Sequence, residues 1–344
     1  MLASPVNPAD INQVEGVYPS KPPFTQLLGT PKPSAVAGNE GLCEVISVGE
    51  QVKSFKPGDR AVFRAPCFGT WQTHAAVPDE NMLVKVPQDI PVLSAATVSV
   101  NPCTAYRMLS DFWSDGGADT AAEGTGGRGN GGLVKAAIDG EWVLQNGANS
   151  GAGRSVIQIA KIWNLKTLNV IRRGDRTAEE VEQLREELRQ LGATEVITDE
   201  DLGSREIKSK IAQLTNGRGI ALGLNCVGGR PATDLARNLR PNATLVTYGA
   251  MARQPLAIPT GLLIFNNLTL KGFWVSSWAK GRDEEKEKML SEILDWMRKG
   301  WIKDVPYEEV KWTEDSKEEE LVSAVARAGE GTGPKKIFVF EHTE

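Results

Sequence analysis

Across residues 142–173 the apolar positions change their period. Trp142, Val143 and Leu144 form a continuous apolar run, residues 147–153 are almost all small, and Val156, Ile157, Ile159, Ala160 and Ile162 follow at helical spacing. A second apolar run, Leu168 to Ile171, closes a predicted strand–turn–helix–strand (βαβ) unit. The alternation then continues: a charged helix over 178–191, a strand at 196–199, a helix at 207–215, a strand at 221–229, a helix at 233–240 and strands at 243–251 and 267–278. Such alternation predicts an α/β fold with a doubly wound parallel sheet of the Rossmann type. An amphipathic helix is expected over 289–301.

Upstream, residues 1–104 alternate short apolar stretches with Pro and Gly, the pattern of a β-rich domain with hairpin and barrel character. The opening MLASPVNPADINQ is expected to be the tail of a strand running into a loop. Small and apolar residues over 94–109 predict helices interrupted at Asn101-Pro102, a break expected to mark the edge of a cleft. The closing stretch, 331–341, is expected to be a strand returning to the first domain. The predicted domains are therefore 1–104 completed by 308–344, and 105–307. Residues 114–140 are Gly-rich, with almost no large apolar side chain before Leu133, and cannot bury enough surface to offset their ordering entropy. They are expected to form a mobile surface insertion without chemistry.

The turn at 147–153 carries a variant of the dinucleotide fingerprint G-x-G-x-x-G, with Ala148, Ser150 and Gly153 at its three small positions and Gly151 inside it. Small residues let the backbone approach a pyrophosphate, and the helix that starts near Gly153 turns free N–H groups towards it. Where an NAD-preferring site carries an acidic residue for the ribose 2′-hydroxyl, this chain has Arg172, Arg173 and Arg176. These charges point to a 2′-phosphate, hence NADPH. The same arginines are also compatible with a solvated loop ahead of a charged helix.

Composition narrows the class. A chain of 344 residues implies two domains. Its 40% hydrophobic and 24% charged content is ordinary for a globular protein, and no apolar run is long enough for membrane insertion. A net charge of −5 argues against nucleic acid as a partner. Cys43, Cys67, Cys103 and Cys226 lack C-x-x-C spacing and the two histidines are His74 and His342, so neither a zinc cluster nor a disulfide framework is expected. Nothing at the start reads as a targeting presequence.

The block GNEGLCEVISVGEQVKSFKPGDRAV resembles the signature of the medium-chain dehydrogenases and reductases, in which the zinc enzymes show G-H-E. Asn39 stands where those enzymes place a metal-binding His, and their early zinc-ligand Cys is absent around Asn7 to Asp10, so the resemblance implies a metal-free member with a GroES-like catalytic domain. The blocks SPVNPADINQVEGVYPSKP, SVNPCTAYRML, QNGANSGAG, NCVGG, TYGAM and GFWVSSW are similar, over nearly the whole chain, to the mitochondrial trans-2-enoyl thioester reductases of fatty acid synthesis. That family uses NADPH to reduce the C2–C3 double bond of enoyl groups on acyl carrier protein or coenzyme A.

The resemblance implies roles residue by residue. Tyr18 becomes the proton donor; a phenol stays protonated at neutral pH yet can protonate a basic carbanion, although a lone Tyr before Pro is otherwise a packed loop residue. Asn101 contacts the nicotinamide end, Asn149, Ser150, Gly151 and Ala152 the pyrophosphate, and Arg172 the 2′-phosphate. Tyr248, Gly249, Ala250 and Met251, with Phe273, Trp274, Val275 and Ser276, line the cofactor and acyl channel, with Trp274 against the acyl chain and Lys335 near the cofactor. Core packing is the other reading of Phe273 and Trp274. The family also implies the mitochondrial matrix and a homodimer, with TLKGFWVSSW as a candidate edge. It carries a targeting segment and further strands ahead of the position matching Met1, so the first domain is expected to begin in mid-element and to be stabilised by an upstream extension. A quinone or enone reductase of the same superfamily, and a non-catalytic NADPH-binding protein, are the competing functions.

Overall fold

A computed structural model of the chain describes residues 1–26, 28–113, 139–330 and 333–341. The expected insertion at 114–140 lies almost entirely outside the described residues. Twelve strands are present among them: β1 (Ala3–Pro5), β2 (Leu42–Glu44), β3 (Arg60–Phe63), β4 (Leu83–Val86), β5 (Trp142–Asn146), β6 (Lys166–Ile171), β7 (Glu195–Thr198), β8 (Leu222–Asn225), β9 (Thr244–Thr247), β10 (Thr269–Gly272), β11 (Tyr307–Trp312) and β12 (Lys335–Phe340). Two compact units form, Met1–Cys103 with Ser276–Glu344, and Thr104–Val275. Residues 276–307, which the sequence pattern groups with the dinucleotide-binding domain, thus pack with the first unit.

The first unit is built on a six-stranded sheet in the order β11-β12-β1-β2-β3-β4. The β11/β12 pair is parallel and the others are antiparallel. The returning strand β12 fills the sheet interior, pairing with β1 from Ala3↔Val339 to Pro5↔Ile337. Its Phe338 is buried, with Trp71 and Trp312 packed edge-on against the ring at 5.4 and 5.2 Å. Phe63, Leu83, Ala324 and Phe340 complete that core.

Two expectations are corrected here. The opening strand is present, but it runs into a helix, Pro8–Val14, and not a loop. Pro8 opens that helix, where its missing N–H costs nothing, and the Asp10 carboxylate reaches back to accept the Asn7 N–H at 2.7 Å. Likewise Asn101-Pro102 begins a helix, Asn101–Asp111, after the separate helix Val92–Ala96 has ended, and so does not interrupt one. The amphipathic helix expected at 289–301 covers Asp283–Arg298, starting earlier on an acidic first turn of Asp283, Glu284 and Glu285 that suits the helix dipole.

The second unit holds an all-parallel sheet in the order β10-β9-β8-β5-β6-β7. The strand order reverses between β5 and β8, the point outside whose carboxyl ends nucleotides bind in sheets of this kind. Leu144, Leu168, Ile197, Leu235 and Leu245 are buried in one face cluster, and Ile157, Ile171, Val181 and Leu188 in the other. The helix over Ala178–Leu191 forms as the pattern predicts, closed by Gly192 in the left-handed region at φ 116°. The expected strand at 267–278 is shorter: β10 stops at Gly272 and Val275–Trp278 is a helical turn, so Phe273 and Trp274 lie past the strand and not within it. No helix among the described residues is long and apolar enough to cross a membrane.

The βα turn depends on Gly153. A Cβ there would sit 2.5 Å from the Gly147 carbonyl oxygen and 2.7 Å from that of Ala148, both backbone atoms. Gly153→Ala is expected to force a backbone shift costing about 1–3 kcal/mol, read as a fall of several degrees in the thermal midpoint; an unchanged midpoint contradicts the close approach.

Candidate functional site

In the second unit the chain leaves β5 into a turn that only small residues can make. Gly147 has φ +61°, and a Cβ on it would fall on the Cys226 sulfur. The Ser150 hydroxyl caps the helix Gly151–Ile162 by accepting the Gly153 N–H at 3.1 Å, while Arg154 Nε donates to the Asn149 carbonyl at 3.0 Å. The helix starts at Gly151, two residues before the expected position, and presents its first N–H groups beside the turn.

Buried amides lock the adjoining strand ends. Asn146 Nδ2 donates to Asn225 Oδ1 at 2.8 Å, and Asn146 Oδ1 accepts the Cys226 N–H at 2.8 Å. Asn225 Oδ1 also accepts the N–H groups of Val227 and Gly228, and Asn225 Nδ2 donates to the Thr247 hydroxyl at 3.2 Å. Three neighbouring strands are thereby pinned at their carboxyl ends. Polar residues closing apolar strands left no periodic signal, which is why sequence reasoning missed Asn146 and Asn225; β5 runs on to Asn146 because Gln145 and Asn146 are themselves buried.

Over this turn lies a cavity of about 420 Å³ lined by Asn146, Gly147, Asn149, Arg172, Asp199 and Arg230 among others. Arg172 lines it directly. Arg176 Nη1 instead donates to the Arg172 carbonyl at 2.8 Å, and the Arg173 N–H donates to Asp199 Oδ1 at 2.8 Å, so both shape the loop that presents Arg172. Tyr248 follows β9, its N–H donating to the Asn225 carbonyl at 3.0 Å. Burial, and then the neighbouring Cys226, push its phenol well above the ordinary range. Gly249 packs over Cys226, the Met251 N–H donates to the Cys226 carbonyl, and Ala250 and Met251 are exposed. Phe273 is buried edge-on to Phe112 at 5.7 Å, Trp274 is half-buried and Val275 buried. A dinucleotide fits this arrangement: a glycine-lined turn that a side chain would fill, a capped helix N-terminus and an arginine on the cavity wall.

The first unit holds Tyr18, Asn101, Ser276 and Lys335. Tyr18 is half-buried in the loop after Pro8–Val14, with its N–H on the Asn12 carbonyl at 3.1 Å. Ser276 is half-buried within the turn Val275–Trp278. Asn101 and Lys335 converge on one side chain, that of Asn7: Asn101 Nδ2 donates to Asn7 Oδ1 at 3.2 Å, and Lys335 Nζ donates to the same oxygen. Asn7 Nδ2 in turn donates to Glu40 Oε1 at 2.8 Å, and Glu40 Oε2 accepts the Val100 N–H at 2.9 Å. Asp10 accepts from Asn39 Nδ2 at 2.6 Å, and Asn39 Oδ1 accepts the Cys67 N–H at 3.1 Å. Asn39 therefore serves as a hydrogen-bonding brace between three segments. Among the described residues no group of three or more His, Cys, Asp and Glu could hold a metal ion. A separate cavity of about 640 Å³ in this unit, walled by Cys43, Ile46, Phe55 and Phe63, touches none of these residues.

Comparison with known proteins gives matches to both units of the chain. Residues 1–88 match the alcohol dehydrogenase GroES-like domain family and residues 151–295 the zinc-binding dehydrogenase family. The mitochondrial enoyl-[acyl-carrier-protein] reductase of Schizosaccharomyces pombe is 42% identical over 99% of this chain and 85% of its own. A protein of Kluyveromyces marxianus named NADPH quinone oxidoreductase is 38% identical over 99% of this chain and 84% of its own. The Etr1p complex with NADP and crotonyl-CoA, and the mitochondrial 2-enoyl thioester reductase Etr1p/Etr2p heterodimer of Candida tropicalis, each match with a TM-score of 0.84 and 36% identity, over 98% of this chain and 89% of theirs.

Burial raises Asp10 to about 6 and Glu40 to about 7, against the lowering effect of hydrogen bonds and of Lys335, whose own value burial lowers. A carboxyl raised on folding binds its proton more tightly in the folded chain, so stability falls as pH rises from about 4.5 to 7. Glu40→Gln removes one such group, worth at most ~3 kcal/mol across that window. The thermal midpoint of the natural chain should therefore drop more steeply between pH 5 and 7.5 than that of Glu40→Gln; parallel profiles contradict the assignment.

Proposed function

The chain belongs to the mitochondrial enoyl thioester reductase family of the medium-chain dehydrogenases and reductases, and on that premise we propose that it carries out the NADPH-dependent reduction of trans-2-enoyl thioesters. The observation that carries this is the near full-length match, at 36% identity, to an enzyme held with NADP and crotonyl-CoA. Acyl carrier protein and coenzyme A are the proposed carriers, and the mitochondrial matrix is the proposed location, supported by the name of the Schizosaccharomyces pombe relative, which is mitochondrial. Assembly as a homodimer is supported by β10: among the described residues it ends the sheet with an unpaired outer edge, it is exposed along its length, and it follows a short helix, Thr260–Ile264, at whose end Ile264 and Phe265 are exposed. No metal takes part in this reading, because Asn39 spends its amide on Asp10 and Cys67.

When bound, NADPH supplies a hydride to C3 of the enoyl group. The chain's own residues then have three tasks. The N–H groups of Gly151 and Ala152, first in the Ser150-capped helix, hold the pyrophosphate beside Asn149, while Arg172 takes the 2′-phosphate. Asn101 holds the nicotinamide carboxamide. Tyr18 delivers its phenolic proton to C2 as enolate charge develops on the thioester carbonyl, and Trp274 packs the acyl chain. Tyr248, Gly249, Ala250, Met251, Phe273, Val275 and Ser276 shape the remainder, Phe273 through its buried contact with Phe112.

The quinone reductase reading, favoured by the name of the Kluyveromyces relative, is separated by one assay. NADPH oxidation should be fast with crotonyl-CoA and slow with a quinone, and Tyr18→Phe should lower crotonyl-CoA turnover about 10²- to 10⁴-fold with NADPH binding unchanged. Rapid quinone turnover untouched by Tyr18→Phe, with none on crotonyl-CoA, overturns the proposal. Arg172→Ala should weaken NADPH by roughly one to two orders of magnitude and NADH hardly at all; equal losses in a binding titration mean Arg172 does not read the 2′-phosphate.

A further inference from the structure

The buried cluster around Glu40 has a direction built into its hydrogen bonds. A carboxylate can only accept and an ammonium can only donate. Glu40 Oε1 accepts from Asn7 Nδ2, and Lys335 Nζ donates to Asn7 Oδ1, so the Asn7 amide has one orientation that satisfies both partners. Amide orientation is often a matter of assignment; here an obligate acceptor and an obligate donor decide it. Asn101 Nδ2 donates to that same Asn7 oxygen, so the Asn101 amide is oriented in its turn. Its carbonyl Oδ1 takes no partner among the described residues, and Asn101 is half-buried at the start of its helix while Asn7 and Glu40 are fully enclosed. Glu40 also acts on the backbone, since its second oxygen accepts the N–H of Val100, the residue before Asn101.

We propose that Glu40 is a positioning residue for cofactor recognition: through Asn7 it leaves the Asn101 carbonyl oxygen as the atom offered to the nicotinamide, and so selects a ring substituent that donates a hydrogen bond. The carboxamide NH₂ is such a substituent. The inference rests on the reading of Asn101 as the nicotinamide contact. Glu40→Gln is the informative change, because the carboxylate faces two donors, Asn7 Nδ2 and the Val100 N–H. A glutamine amide of the same shape must set its own NH₂ against one of them. The Asn7 amide is then held by Lys335 alone, without an obligate acceptor on its NH₂, and the orientation it passes to Asn101 is weakened. Asp10 on the first helix, Lys335 on β12, and Cys103 and Lys286 on the helices Asn101–Asp111 and Asp283–Arg298 are the other charged or titratable groups that act on Glu40.

The test compares binding of NADPH with binding of its reduced 3-acetylpyridine analogue, in which a methyl group replaces the carboxamide NH₂. Calorimetric titration at pH 8, where Glu40 is ionised, reads affinity without turnover. The natural chain should prefer NADPH about tenfold, the worth of one hydrogen bond. In Glu40→Gln the preference should fall to roughly twofold or less, with affinity for the analogue itself within about twofold of the natural chain. Asn7→Ala, which cuts the relay at its middle while leaving Glu40 itself in place, should give the same collapse and serves if Glu40→Gln does not fold. Asn101→Ala should abolish the preference outright. If Asn101→Ala abolishes it while Glu40→Gln and Asn7→Ala retain it, Asn101 is a cofactor contact but Glu40 does not position it. If Asn101→Ala also retains it, or the natural chain shows no preference, the reading of Asn101 fails and the proposal with it.

Discussion

The interior of the first unit turns on the Asn7 side chain, held between a carboxylate that can only accept and an ammonium that can only donate. Burying Asp10 and Glu40 beside Lys335 is costly unless every lone pair and proton finds a partner. The structure offsets part of that cost by drawing partners from separate stretches of chain: the start of the first helix, the Gly-Asn-Glu turn before β2, the start of the helix Asn101–Asp111, and the first residue of β12. These segments are thereby fixed against one another. Asn101, proposed as a cofactor contact, inherits its geometry from groups that are themselves far from solvent.

The second unit uses the same device without charge. Asn146 and Asn225 place amides where three parallel strands end, and each amide spends its hydrogen bonds on backbone N–H groups and on its neighbour. The first residues of the loop leaving β8, Cys226 to Gly228, are thus fixed to the strand ends. Apolar burial along β5, β6 and β8 supplies the stability, and the amides determine which conformation that stability supports. Arg172 is set in place in the same manner, by Arg176 on its carbonyl and by Asp199 on the following N–H.

Much of this was legible in the residues. The period change at 142–173 located the βαβ unit, and the capped helix over Ala178–Leu191 followed from its charge and apolar spacing. The errors share a cause. The helix Pro8–Val14 resembles a loop in sequence because its start signal is a Pro and a back-reaching Asp10, not an apolar stripe. The stretch after Gly272 was read as strand because Phe273 and Trp274 favour strands locally, whereas the chain turns helical there. The Glu40 cluster is illegible for a different reason: the hydrogen bonds that join its segments span from 33 positions, between Asn7 and Glu40, to 328, between Asn7 and Lys335, and nothing local signals that they meet. The roles proposed for Tyr18 and Asn101 rest on resemblance to a family, since a single Tyr or Asn carries no pattern of its own.

Reduction of an enoyl thioester is defined by where hydride and proton arrive. Crotonyl-CoA reduced by NADPH deuterated at C4 of the nicotinamide should give butyryl-CoA with deuterium at C3, and the reaction run with ordinary NADPH in D₂O should place deuterium at C2, both read by mass spectrometry and NMR of the product. Deuterium from the cofactor at C2, or a product that takes none from it, contradicts reduction of the enoyl thioester by this chain.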